Sequence, residues 1–275
     1  MIVAELAGGL GNQLFQYAAA RTVADRLGTE LGLDIRTCRA ADSRAYALGP
    51  YAIRAHVVPD DDLRGLRTHR PLRWMLTTGA IERIGTLFRP AALSHFARVI
   101  EGRARYARLE HVTDGSWLAG YWQSERHFAA AGDRLRADLA VLALSKEGAA
   151  LEAHVVGMEC PVAVHVRRGD YAMVPSTRAY HGLCSVEYYR AAMDRIRATL
   201  PRSRFVFFSE DPDWVTQSLG AEADLIVRLH DGQRPHEDLH LMTRCRAHVI
   251  SNSTFGWWGA WLAGSPRVIA PARWF

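Results

Sequence analysis

Phe205-Val206-Phe207-Phe208 is an unbroken apolar run, closed by Ser209-Glu210-Asp211-Pro212-Asp213. A strand with one wet face alternates apolar and polar residues; a run without alternation needs cover on both faces, as in a parallel sheet between helices. Comparable runs occur at Pro161-Val162-Ala163-Val164, Leu225-Ile226-Val227, Ala247-His248-Val249-Ile250 and Val268-Ile269-Ala270-Pro271. Helical stretches are expected between them, over 186–200, from Glu237 onward and after Ser253. Strand and helix in alternation predict an α/β fold. At 275 residues the chain exceeds the usual single domain, so two domains are expected.

The chain opens in the same idiom. Ile2-Val3-Ala4-Glu5-Leu6 reads as a strand and Ala7-Gly8-Gly9-Leu10-Gly11-Asn12-Gln13 as a tight loop. Leu14, Ala18, Val23 and Leu27 then mark one face of a helix ending near Gly28. A dinucleotide fingerprint would need Gly-x-Gly-x-x-Gly, yet counting from Gly9 puts Leu14 in the third glycine's place. Asp34, closing the next strand, is all that remains of that reading. The alternatives are a close-packed turn, or a loop that brings backbone NH groups and the Asn12 and Gln13 amides to a crevice.

Residues 35–115 are broken by Pro50, Pro59, Pro71 and Pro90. Between Arg64 and Arg108 the arginines recur beside Trp74, Leu87, Phe88 and Phe96. This stretch is either a set of solvated helix faces or a basic, apolar surface that leans on an anionic membrane. Trp117-Leu118-Ala119-Gly120-Tyr121-Trp122-Gln123-Ser124 reads as a strand and turn whose aromatics suit a core or a sugar face. Helices are expected over 125–139 and 145–156, and Gly157 ends the second. A fresh strand and helix pattern follows, so the domains are expected to span 1–158 and 159–275.

Four widely separated cysteines, without Cys-x-x-Cys, argue against a zinc site or a disulfide framework. Met1 leads directly into an apolar strand, and no apolar run approaches ~20 residues, so neither a standard export signal nor a spanning segment is expected. The net charge of +5 permits an anionic partner. Nucleic acid is a poor fit, because no basic helix or spaced aromatic platform accompanies the charge.

His165-Val166-Arg167-Arg168-Gly169-Asp170-Tyr171 follows the 161–164 strand directly. Two guanidiniums thus stand at a strand's carboxyl end, where open α/β sheets bind ligands. Such forks bind a doubly charged anion such as pyrophosphate bidentately, although paired arginines also occur as plain surface. A loop over 172–185 is expected to carry His181. Ser251-Asn252-Ser253-Thr254 runs into a helix of small residues and tryptophans, which places hydroxyls and free NH groups at one point.

Taken together, Gly8 to Gln16, Gly120 to Ser124, His165 to Tyr171, Glu237, and Ser251 through Trp258 resemble glycosyltransferase family 11, the α-1,2-fucosyltransferases that use GDP-L-fucose. The resemblance implies the GT-B architecture, two Rossmann-like domains facing a central cleft, with an N-terminal acceptor-side domain and a C-terminal donor domain. It implies inverting transfer to the 2-hydroxyl of a terminal β-galactoside, with GDP-fucose as donor substrate and no cofactor or metal. Arg167 matches the residue that grips the β-phosphate and Arg168 its partner. His165 and Asp238 match guanosine-contacting positions, Ser253 and Thr254 phosphate-binding ones. Asn12, with Gln13 and Gln123, falls on the acceptor side. Relatives place a glutamate where this chain has Pro175, so the proton acceptor stays open between Asp170, His181 and the phosphate itself. The implied setting is cytoplasmic synthesis of a cell-surface glycan of O-antigen type, with a lipid-linked acceptor and peripheral membrane contact. A silent sugar-nucleotide-binding protein and a transferase for another GDP-sugar or linkage are the alternatives.

Overall fold

A computed structural model describes residues 1–41, 43–64, 97–101, 108–227 and 234–274. The chain divides into two units, Met1–Ala140 and Val141–Phe275. The first contains β1 (Ile2–Glu5), α1 (Leu10–Leu27), β2 (Leu31–Asp34), α2 (Arg36–Arg39), β3 (His56–Val57), β4 (Ala97–Ile100), β5 (Ser116–Ala119) and α3 (Gly132–Asp138). Its strands pair in the order β3-β2-β1-β5-β4, every pair parallel. The second contains α4 (Lys146–Gly157), β6 (Pro161–Val166), α5 (Gly169–Met173), α6 (Pro175–His181), α7 (Val186–Thr199), β7 (Arg204–Ser209), α8 (Pro212–Leu219), β8 (Leu225–Val227), α9 (Pro235–Thr243), β9 (Ala247–Val249), α10 (Thr254–Leu262) and β10 (Val268–Ile269). Its order is β10-β9-β6-β7-β8, again all parallel.

The apolar runs do what their lack of alternation requires. Val162, Val164, Phe205 and Phe207 pack with Tyr189, Met193 and Ile196 of α7 and Val215 of α8. Ala163, Val206 and Phe208 point the other way, onto Val155 of α4 and Leu241 and Met242 of α9. Each side chain buried in this way contributes roughly 1.5–3 kcal/mol, so both faces of β6 and β7 are held in place.

Several elements differ from expectation, each for a local reason. Helix α4 belongs to the second unit and not to the first, so the division falls at 140/141 in place of 158/159. Ser145 caps α4 by accepting from Gly148 N (3.0 Å), and Glu237 of α9 receives both Ser145 N and Ser145 Oγ at 2.9 Å. Helix α1 starts at Leu10 with Gly9 as its N-cap, so Asn12 and Gln13 lie in its first turn and not in a loop. It is buried nearly all round rather than on one face, because its Ala-rich middle lets the sheet and Phe128 approach closely. The helix expected over 125–139 is two short turns, 125–127 and 129–131, followed by α3; Phe128 breaks the helical path (φ −142°) to bury its ring. The loop expected over 172–185 contains α5 and α6, and Pro175 opens α6 where its missing N–H costs nothing. Most of the basic stretch between Arg64 and Arg108 lies outside the described residues. Among the described residues no helix is long and apolar enough to cross a membrane.

His248 of β9 is fully buried, and its Nε2–H donates to Met242 O at 2.9 Å. Burial keeps it neutral and lowers its pKa from 6.5 to about 4. In the unfolded chain the ring takes up a proton near pH 6.5, so its contribution to stability is complete above that pH and is lost as pH falls toward 4. The loss should be on the order of 2–3 kcal/mol. Urea unfolding at pH 7 and pH 4.5 should show it, and His248→Gln should flatten the slope across that window. An unchanged slope in the variant would show that another group carries the acid sensitivity.

Candidate functional site

In both sheets the first strand of the unit sits in the middle and the chain departs from it in both directions. A crevice therefore opens at the carboxyl ends between β6 and β9, and between β1 and β5. Loops from neighbouring strands diverge there, which is where α/β sheets accept ligands.

The β6–β9 crevice carries the charge. Val166 pairs with Ser209 at the last register position of β6 and β7. Continuing that register sets Arg167 beside Glu210 and Arg168 beside Asp211, and the side chains pair accordingly. Arg167 Nη1 donates to Glu210 Oε1, and Arg168 Nε donates to Asp211 Oδ2 at 3.0 Å. Asp211 also caps α8 by accepting from Trp214 N at 3.1 Å. Each guanidinium lies over a ring, Arg167 over Tyr171 (5.0 Å) and Arg168 over Trp214 (4.2 Å). Tyr171 in turn stacks on His181, with centroids 4.4 Å apart and planes 7° from parallel. Pairing and stacking fix both forks before a ligand arrives. Gly169, at φ +24°, makes the turn possible: a Cβ there would stand 2.9 Å from Glu210 Cγ.

The start of α10 follows β9, the strand on the other edge of β6. Ser253 caps it, its Oγ accepting from Phe255 N at 3.3 Å, and Thr254 follows as its first residue. The positive end of the helix dipole therefore opens at the same crevice as the arginines. His165 joins the two strand ends, with Nδ1 2.9 Å from Ser251 Oγ and its ring 5.4 Å from that of Phe255. His165, which the resemblance places at the guanosine, is buried and holds the helix start against β6. Asp238, expected in the same role, is also wholly buried, in α9 beside the α4-capping Glu237. Asn252 has a structural task, donating to His181 O (2.5 Å) and to Trp274 O (3.3 Å). Asp170 lies in α5; its side chain is outside the described residues.

The β1–β5 crevice carries side-chain amides. Gln123 Nε2 donates to Asn12 Oδ1 at 3.0 Å across the gap. Gln13, expected to face an acceptor, is buried; its Nε2 donates to Gly8 O (2.9 Å) and Ala45 O (2.8 Å), and its Oε1 accepts from Ala47 N (2.9 Å). It holds the loop and has no exposed surface. Gln16, not singled out from sequence, links the crevice loops by accepting from Ala7 N (3.0 Å) and donating to Gly120 O (2.9 Å). Asp34, the remnant of the dinucleotide reading, is buried and committed to Arg36 (2.9 and 2.7 Å) and to Trp117 Nε1 (3.2 Å). Among the described residues no three His, Cys, Asp or Glu side chains gather to hold a metal ion.

A family model described as glycosyl transferase family 11 matches residues 105–274. The chain belongs to glycosyl transferase family 11. An alpha-1,2-colitosyltransferase of Escherichia coli is 28% identical over 282 residues, covering 100% of this chain and 92% of that one. The O-antigen biosynthesis glycosyltransferase WbnK of Escherichia coli is 31% identical over 115 residues, 41% of this chain and 38% of the relative. Among solved structures, the α-1,6-fucosyltransferase NodZ soaked with GDP-fucose aligns over 98% of this chain and 94% of its own, with a TM-score of 0.57 and 16% identity. That likeness is one of fold, the GT-B class of two Rossmann-like units. This family 11 glycosyltransferase thus carries two crevices of unlike chemistry.

Gly256 packs closely on His165, since a Cβ there would stand 2.7 Å from His165 Nδ1 and 3.3 Å from Ile250 Cβ. Gly256→Ala should destabilise the protein by about 1–3 kcal/mol in urea unfolding, because the buried imidazole cannot retreat. Gly157→Ala, whose Cβ meets nothing within 4 Å, should leave stability unchanged or slightly raised. Equal stability of the two variants would contradict the close packing of His165 on α10.

Proposed function

We propose that this chain transfers L-fucose from GDP-β-L-fucose to the 2-hydroxyl of a terminal β-galactoside, with inversion, to give an α-1,2 linkage in a cell-surface glycan of O-antigen type. The observation that carries this reading is the pair of oriented guanidiniums just past the carboxyl end of β6, with the start of α10 just past the carboxyl end of the neighbouring β9. In the reaction the bond from fucose C1 to the β-phosphate oxygen breaks while acceptor O2 bonds to C1 from the opposite face. Negative charge grows on the departing diphosphate, so donors already aimed at that point lower the barrier. Arg167 exchanges Glu210 for the β-phosphate, and Arg168 offers its Nη groups while Asp211 keeps Nε. Ser253 and Thr254 present the amino end of α10 to the same phosphate. Neutralisation falls to these groups, so the proposal assigns the reaction no metal or cofactor.

The acceptor proton goes to Asp170, to His181 or to the departing phosphate itself. His181 is packed face to face with Tyr171, which makes it a support for Arg167 as well as a candidate base. An unchanged pH–rate profile in Asp170→Asn, or in His181→Asn, removes that residue as the base. A second donor is favoured by the relative that spans the whole chain, a colitosyltransferase: colitose is fucose without its 3-hydroxyl and would undergo the same displacement. We assign the protein to the cytoplasm, at the inner face of the membrane, where a lipid-linked acceptor would be presented.

The test is incubation with lactose and either GDP-fucose or GDP-colitose, with product linkage read by NMR. A 2-O-linked product from at least one donor is expected, and Arg167→Ala should lose at least about a hundredfold in kcat while remaining folded, roughly 3 kcal/mol of barrier. GDP-sugar binding without transfer to any galactoside would instead make the protein a silent sugar-nucleotide binder. Near-normal turnover in folded Arg167→Ala would remove the arginine from the mechanism.

A further inference from the structure

The β1–β5 crevice holds an unusual piece of backbone. Trp122 has φ +52°, which among the described residues makes it the sole non-glycine with positive φ, and it is a bulky, buried aromatic. Such a residue in the left-handed region costs on the order of 1–2 kcal/mol and persists only where its surroundings enforce it. The enforcing group is Glu101, at the carboxyl end of β4. Its Oε2 accepts from both Tyr121 N (2.6 Å) and Trp122 N (3.1 Å). A side chain on Gly120 would stand 2.4 Å from Glu101 Cβ, so the glycine is what admits the carboxylate. His127 meets the Trp122 ring edge-on at 5.8 Å and helps to lock it inward.

The clamp has two consequences for the surface. Bending at Trp122 returns the chain over α1, so that Gln123 bonds Asn12. Tyr121, two residues before Gln123 in the same turn, stays 43% exposed. An exposed aromatic and an amide pair offered by one turn at the carboxyl ends of parallel strands suit a neutral ring compound with one apolar face. A pyranose such as galactose has such a face, while its hydroxyls match the amides.

We propose that the Gly120-Tyr121-Trp122-Gln123 turn is the acceptor-sugar subsite, with Tyr121 as the stacking surface and Glu101 as the positioning residue that holds it. The assignment rests on the galactoside-transfer reading and adds to it the residues that select the acceptor. Glu101 acts through the backbone and touches no reacting atom. Tyr121 contributes its ring and not its hydroxyl.

Tyr121→Ala, Tyr121→Phe and Glu101→Gln are compared with the parent protein for lactose KM, GDP-fucose KM and lactose binding by ligand-observed NMR. Tyr121→Ala should raise the lactose KM roughly five- to tenfold and leave the donor KM unchanged. Tyr121→Phe should stay within about twofold, and Glu101→Gln should move the lactose KM in the direction of Tyr121→Ala. An unchanged lactose KM in Tyr121→Ala, or a donor KM that rises in parallel, overturns the proposal. If the parent protein makes no product, the transfer reading fails, and the NMR measurement still decides this one: lactose signals lost in Tyr121→Ala support the subsite, and signals retained overturn it.

Discussion

Strand β6 is paired in parallel on both edges, with β7 on one side and β9 on the other. The placement of the charged groups depends on that double pairing. The β7 partner carries its register past the strand ends, so that two arginines meet two carboxylates, and the β9 partner brings the start of α10 to the neighbouring strand end. A slip of one residue in either pairing would also turn every buried apolar side chain of β6 to the wrong face. Core packing and placement of the anion-binding groups are therefore a single constraint.

The two units solve the same geometric problem with different chemistry. Each bridges its crevice with one side-chain pair, His165 with Ser251 in the second unit and Asn12 with Gln123 in the first. In each a glycine lets the bridging side chain come close: Gly256 at the imidazole, and Gly8, where a Cβ would stand 2.5 Å from Asn12 Nδ2. Guanidiniums and a helix dipole line one crevice, amides and an exposed tyrosine the other. In the proposed reaction, charge on the leaving diphosphate needs the former, and a neutral sugar hydroxyl needs only the latter.

Much of this was legible from sequence, because continuous apolar runs have one stable environment and the strands after 160 fall where those runs are. The arginine pair and the capping cluster at 251–254 were legible for the same reason, since each directly follows a run. Glu210 and Asp211 were visible as residues but not as partners, because their role depends on which strand lies beside β6, and adjacency is a property of the sheet. His165, Asp238 and Gln13 are tied to ligand contact by resemblance alone; that all three are buried is something their residue types do not signal. Trp122 gave no warning either, since a left-handed aromatic is imposed by Glu101 from twenty-one positions away in the chain.

The central claim is that the β6–β9 crevice is built for the second phosphate of a nucleoside diphosphate. Calorimetric titration with GDP and with GMP at low salt tests it most directly. GDP should bind at least about fiftyfold more tightly than GMP, as expected for an extra charged group held by guanidinium and helix-terminus donors. That advantage should collapse in Arg167→Ala. Equal affinity for the two nucleotides, or a GDP preference that survives the loss of Arg167, would contradict the account.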